Sequence, residues 1–133
     1  MGIIRPDKNT IADYEYLLHK LNEYDIAFLE IVGPAVTLAG TPVASWDDQY
    51  YSFFRNNYKG AIVANLGFNY DSGNKIIAEG LADLVSFATP FIANPDLVNR
   101  FAHALPLAVA DQTTYYTGGE KGFTDYPKAT DQK

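Results

Sequence analysis

Two short segments hold most of the chemistry this sequence offers. Asn65-Leu66-Gly67-Phe68 and Ala88-Thr89-Pro90 each follow an apolar run and precede a helix-forming stretch. Backbone N–H groups exposed in such turns attract anions, and Gly67 permits a close approach or a positive φ. The second segment lies within Asp83 to Val98, where a buried strand is expected to run into a tight turn and a helix to open on an Asn94 cap with Pro95 in its first turn. That arrangement brings a helix N-terminus to an anion. Each turn alone reads most simply as a β-to-α connection. As a pair at adjacent strand ends, they match the way many (β/α) barrels grip a phosphate between the seventh and eighth strands.

Other candidates offer less. Cysteine is absent, which removes disulfides, thiolate metal sites and Cys nucleophiles together and fits a reducing compartment. His19 belongs to an exposed helix face, and His103 falls near a predicted helix end, where a cation complements the dipole. Neither has a carboxylate or nucleophile partner in the pattern, so no catalytic residue and no metal ligand is assigned. Tyr115, Tyr116, Phe123 and Tyr126 form an aromatic cluster that either packs a loop or lines a flat, π-rich ligand. Asp47, Asp48, Asp71 and Asp83 sit at element boundaries and read as caps or turn residues.

The elements that must position these turns alternate. Ile11, Tyr14, Leu17, Leu18, Leu21 and Tyr24 recur at helical spacing behind a Thr10/Asp13 capping box. Residues 26–32 form an apolar run closed by Gly33-Pro34, as expected for a strand covered on both faces. Glu30 is its anomaly, a carboxylate that must reach the strand end or find a donor. Ser45 and Asp48 read as a second capping box, for a helix carrying Trp46, Tyr50, Phe53 and Phe54 to about Tyr58. Ala61 to Ala64 is a second strand, Ser72 to Glu79 a helix, and Asp83 to Phe87 a third strand. Strands alternating with helices indicate parallel β/α units. Three such strands alone leave both sheet edges open and apolar.

Composition bounds the rest. With 133 residues, 47% apolar and 20% charged, the chain fits one globular domain spanning 1–133, with a frayed tail over 128–133. It is well short of the roughly 250 residues of a whole (β/α) barrel. The net charge of −6 and the scattered Lys and Arg argue against nucleic acid as a partner. No apolar run reaches membrane-spanning length and the N-terminus lacks a signal-peptide pattern, so a soluble cytoplasmic protein is expected.

The landmarks resemble, in order, the C-terminal end of the Old Yellow Enzyme family, the FMN-dependent ene-reductases. They are Leu21-Asn22-Glu23-Tyr24-Asp25-Ile26-Ala27-Phe28-Leu29, Asn65-Leu66-Gly67-Phe68, Ala82-Asp83-Leu84-Val85-Ser86-Phe87, Phe91-Ile92-Ala93-Asn94-Pro95-Asp96-Leu97-Val98, Tyr115-Tyr116 and Gly122-Phe123-Thr124-Asp125-Tyr126-Pro127. The resemblance implies a partial (β/α)8 TIM barrel made of the last three β/α units. By it, Leu66 and Gly67 are phosphate donors of strand seven. Ala88 and Thr89 fall where many members have Gly-Arg, and Tyr116 matches a tail Tyr near the flavin and substrate. Exchanging a guanidinium for the Thr89 hydroxyl loses about 1.5–3 kcal/mol of charge-assisted bonding. Arg5, in a degraded echo of strand five at Gly2 to Pro6, would replace a flavin-contacting Arg.

Three functional expectations follow. The first is the C-terminal fragment of an FMN-dependent NAD(P)H oxidoreductase, without the Tyr proton donor and the His pair that the family draws from earlier strands, and inactive alone. The second is a non-catalytic structural half that completes a barrel with a separate N-terminal piece or with itself. The third is a small flavodoxin-like domain, for which the loop from Gly33 to Thr37 is a poor phosphate loop because Pro34 removes a donor.

Overall fold

A computed structural model describes residues 5–116 and 119–129, which fall into two compact units, the first ending at Ser86 and the second starting at Phe87. Gly2 to Ile4, Gly118 and tail residues 130–133 lie outside the described residues.

The first unit alternates helix and strand: α1 (Thr10–Leu21), β1 (Leu29–Val32), α2 (Tyr50–Asn57), β2 (Ile62–Asn65), α3 (Tyr70–Ala78) and β3 (Leu84–Val85). The strands form one parallel sheet in the order β1-β2-β3, with Leu29 opposite Ile62, Val32 opposite Asn65 and Val63 opposite Leu84. The α/β class and the parallel direction therefore agree with the alternation read from the sequence.

Because side chains alternate along a strand, the register puts Leu29, Ile31, Ile62, Ala64 and Val85 on one face. This face packs against Leu18 of α1, Phe54 of α2, Ile76 of α3 and the neighbouring Tyr58 and Ala82. Ile62 and Ala64 are fully enclosed. Trp46 adds an aromatic cluster, its ring 4.5 Å from Phe53 and edge-on to Tyr14 at 5.6 Å. The opposite face carries Glu30, Val32, Val63, Leu84 and Ser86. There Val32 and Leu84 are 55% and 56% exposed. Strands β1 and β3 are thus not covered on both faces as their apolar runs suggested. Glu30 lies on this second face and does find donors: Asn65 Nδ2 and Ser86 Oγ, each 2.7 Å from its Oε1.

Three helix starts differ from expectation. Asp7, rather than a Thr10/Asp13 box, opens α1: its carboxylate takes the Asn9 N–H at 2.8 Å and the Thr10 hydroxyl at 3.2 Å. Ser45 begins no long helix, because Asp47 binds back to the Thr37 hydroxyl and the Leu38 N–H, and the chain makes a 3-10 turn over Ala44–Trp46 before α2 starts at Tyr50. Asn94 caps nothing. It lies buried between α4 (Thr89–Ala93) and α5 (Leu97–Ala102) of the second unit, donating to Pro90 O and Ala108 O and accepting the Ala108 N–H.

The second unit is held by Arg100, which is 2% exposed. Its Nε meets Asp96 at 2.8 Å, while its other nitrogens donate to Pro106 O and Pro127 O. The other Asp96 oxygen accepts the Ala129 N–H, so Lys128 and Ala129 of the expected tail belong to the described structure. Leu97, Ala93 and Ile92 fill the interior.

Candidate anion-binding turns

In the first unit the chain leaves β2 through Leu66 and Gly67, with φ of 83° and 77°. Consecutive left-handed residues turn successive N–H groups outward. Those of Leu66, Gly67 and Phe68 have no acceptor among the described residues. The turn is fixed on both sides. At its stem, Asn65 O accepts the Gly33 N–H at 2.9 Å and the Tyr51 hydroxyl at 2.8 Å. At its exit, Asn69 and Ser72 form a reciprocal capping box at the head of α3, a signal present in the sequence but not read from it. A Cβ at Gly67 would meet no heavy atom within 4 Å, so glycine is needed there for its φ rather than for space.

The carboxyl rim of this sheet is pinned by α2. The Tyr50 hydroxyl donates to Val32 O at 2.9 Å, next to the Tyr51 bond already described. Burial first, then the nearby Tyr14 and Tyr51, pushes Tyr50 up to about 12, and burial also raises Tyr51. Both phenols therefore stay protonated donors at neutral pH. Beyond Gly33, the loop residues Pro34, Val36, Leu38 and Pro42 line an open cavity of about 510 Å³ together with Thr37 and Arg5. Arg5 contributes its only formal charge.

At the other end of the sheet, Asp83 accepts the Ile62 N–H at 2.8 Å and pairs with Arg55. The Ile62 bond first, and then Arg55, holds the Asp83 carboxyl below its usual range. Asp83 is thus a strand-end tie rather than a cap or turn residue.

In the second unit, Ala88 is the residue before α4 and Thr89 its first residue, both exposed, with Pro90 next. The N–H groups of Ala88 and Thr89 have no acceptor among the described residues, as expected in a first helical turn. Tyr116 is 69% exposed with φ 56°, its ring edge-on to Tyr115 and Phe123 at 6.2 and 5.9 Å. Tyr126 is tied in by the Asp111 N–H, which its hydroxyl accepts. The structure thus gathers Leu66 with Gly67, Ala88 with Thr89, and Tyr116 with its aromatic neighbours, each within its own unit.

Among the described residues the two histidines stand apart from any carboxylate or nucleophile. His19 is exposed, and His103 caps α5 with Nδ1 3.0 Å from Asn99 O. Among the described residues no group of His, Cys, Asp and Glu could hold a metal ion, and no helix is long and apolar enough to cross a membrane. The sequence reading did not single out Arg100, which ties the second unit together. The Asp96-to-Arg100 spacing of four residues was the available signal.

Residues 8–108 match the model of a family described as NADH:flavin oxidoreductase / NADH oxidase. A 12-oxophytodienoate reductase 2 of Arabidopsis thaliana is 34% identical over 122 residues, covering 91% of this chain and 32% of that protein. A Leishmania infantum protein named a probable flavin mononucleotide-dependent alkene reductase is 33% identical over 91% of this chain and 31% of its own length. Among solved structures, the old yellow enzyme from Trypanosoma cruzi superposes with a TM-score of 0.78 at 33% identity, over 92% of this chain and 31% of that one. Morphinone reductase superposes with a TM-score of 0.80 at 30% identity, over 92% and 32%. The chain therefore spans about a third of the length of the relatives it matches.

Proposed function

Since the chain belongs to the NADH:flavin oxidoreductase / NADH oxidase family, that of the FMN-dependent Old Yellow Enzymes with their NAD(P)H reductant, we propose that it forms the last three β/α units of such a barrel, carrying the phosphate end of the flavin site. In this reading residues 1–133 act as one C-terminal part of the barrel. The observation that carries it is the one-sided sheet. Helices cover the face of Ile62 and Ala64, while on the opposite face Val63 of the central strand is buried but Val32 and Leu84 of the edge strands stay exposed, as an arc cut from a closed cylinder would leave them.

The donor set suits a phosphate in kind. Leu66, Gly67, Ala88 and Thr89 offer backbone N–H groups without acceptors among the described residues, and Thr89 adds a hydroxyl. By the family resemblance these residues would hold the phosphate, and Tyr116 and Arg5 would contact the flavin. Bound flavin supplies the hydride chemistry. The chain's own residues bind and orient it, and the proton donor and carbonyl-polarising groups would come from earlier strands. No catalytic residue is assigned to this chain.

Titrating the purified chain with FMN and with riboflavin, followed by NADPH-dependent reduction of an enone, tests the proposal. FMN should be preferred over riboflavin, without turnover. Robust turnover by this chain alone would overturn its catalytic incompetence, and equal binding of the two flavins would remove the phosphate site.

The exposed edge-strand residues Val32 and Leu84 also favour a second reading, a structural half that closes a barrel with a separate N-terminal piece or with a second copy. Light scattering distinguishes it: a stable dilute monomer that binds no partner leaves this reading without support.

A further inference from the structure

We infer that Glu30 is the positioning residue of the phosphate site, an inference that rests on the reading above. Its Oε1 accepts two hydrogen bonds of 2.7 Å, from Asn65 Nδ2 and from Ser86 Oγ. Asn65 is the residue from which the Leu66-Gly67 turn departs, and Ser86 is the last residue before the segment that leads to Ala88 and Thr89. One carboxylate oxygen on β1 thus ties the stem of the Leu66-Gly67 turn to the end of β3, all within the first unit. The main chain repeats the arrangement: Gly33 N–H holds Asn65 O, and Ser86 N–H holds Ala64 O, each at 2.9 Å.

The sequence marks Glu30 as the sole acidic residue of an apolar strand, and core packing does not account for it, since it faces away from the helices. Its charge is spent on two neutral donors, a stronger class of bond than neutral pairs make. The clasp fixes where the Leu66-Gly67 turn begins and leaves the N–H groups beyond it free. Glu30 touches no ligand in this scheme and acts through Asn65, with Ser86 holding its other lone pair.

The test reads the ratio of FMN to riboflavin affinity, which reports the phosphate contact alone, beside urea unfolding. Glu30→Ala should lower that ratio about tenfold, the low end of what one exposed hydrogen bond to a charged acceptor contributes, since the carboxylate acts on the phosphate only through the turn. Glu30→Gln, which keeps an acceptor oxygen, should restore most of it. Ser86→Ala, a smaller perturbation that keeps the sheet intact, should give an intermediate loss. An unchanged ratio in a folded Glu30→Ala chain, or the same loss in Glu30→Gln, overturns the clasp while leaving the phosphate site standing. A wild-type chain that binds both flavins equally overturns the phosphate site and the clasp together.

Discussion

Substituting the two left-handed residues of the β2 turn separates backbone geometry from contact. At Gly67, φ is 77° and a Cβ would meet nothing within 4 Å. Alanine there pays about 1–2 kcal/mol for an L-residue in the left-handed region. It regains about 0.5–1 kcal/mol by restricting the unfolded chain. Gly67→Ala should therefore cost about 0.7 kcal/mol on these figures. At Leu66, φ is 83° and the side chain is 43% exposed. Glycine would relieve a similar strain of about 1–2 kcal/mol, but lose about 0.5–1 kcal/mol in chain entropy. It would also forgo about 1 kcal/mol of the partial burial of leucine. Leu66→Gly should thus fall within about 0.5 kcal/mol of the parent, although it deletes a whole side chain. Urea unfolding of the parent and the two variants measures both numbers. FMN titration adds that Gly67→Ala weakens FMN severalfold with riboflavin unchanged, because the amide is re-aimed. A neutral Gly67→Ala, or a Leu66→Gly that costs well over 1 kcal/mol, would refute the strain argument.

Replacing Thr89 by Arg should tighten FMN by about tenfold or more, since a guanidinium restores roughly 1.5–3 kcal/mol of charge-assisted bonding; equal FMN affinity would place the phosphate elsewhere. The Asp83 carboxyl sits below its unfolded value near 3.8, so its contribution is complete above that pH and is lost as pH falls through the lower folded value. Asp83→Asn should flatten acid unfolding below about pH 4, measured by circular dichroism against pH. Tyr50, at about 12 in the folded chain against 10.0 for the free group, contributes stability fully present below pH 10 and lost as pH rises to its folded value. Tyr50→Phe should therefore make alkaline unfolding shallower, followed by phenolate absorbance. Arg100→Leu leaves the carbonyls of Pro106 and Pro127 without their donor, and limited proteolysis should cut the second unit first.

The strands and their direction were legible because apolar runs bounded by Gly and Pro alternate with helical periodicity; residues 29–32, 62–64 and 84–85 fall inside those runs, and β2 runs one residue further, to Asn65. Helix starts were less legible. A Ser or Asn before an apolar stretch carries the same local signal whether it caps or bridges, and at Asn94 and Asp47 distant partners won: Ala108 for one, Thr37 and Leu38 for the other. The turn at Gly67 was visible in the sequence, whereas the left-handed conformation of Leu66 carries no glycine to announce it. Glu30 was visible as an anomaly, but its partners Asn65 and Ser86 lie 35 and 56 residues away and only the sheet register joins them. Strand burial was overread for a physical reason: an apolar run says that a strand wants cover on both faces, not that the cover lies within the same stretch of chain.

The tyrosine pair at the head of α2 decouples the loop from the rim. Residues 34–49 leave the sheet beside Val32 and return at Tyr50 and Tyr51, whose hydroxyls fasten to the carbonyls of Val32 and Asn65. Both ends of that excursion are thereby anchored to the scaffold independently of what lies between. The segment is an exchangeable cassette: insertions or sequence drift within it can reshape the cavity wall over evolutionary time while the neighbouring donor turn keeps its place.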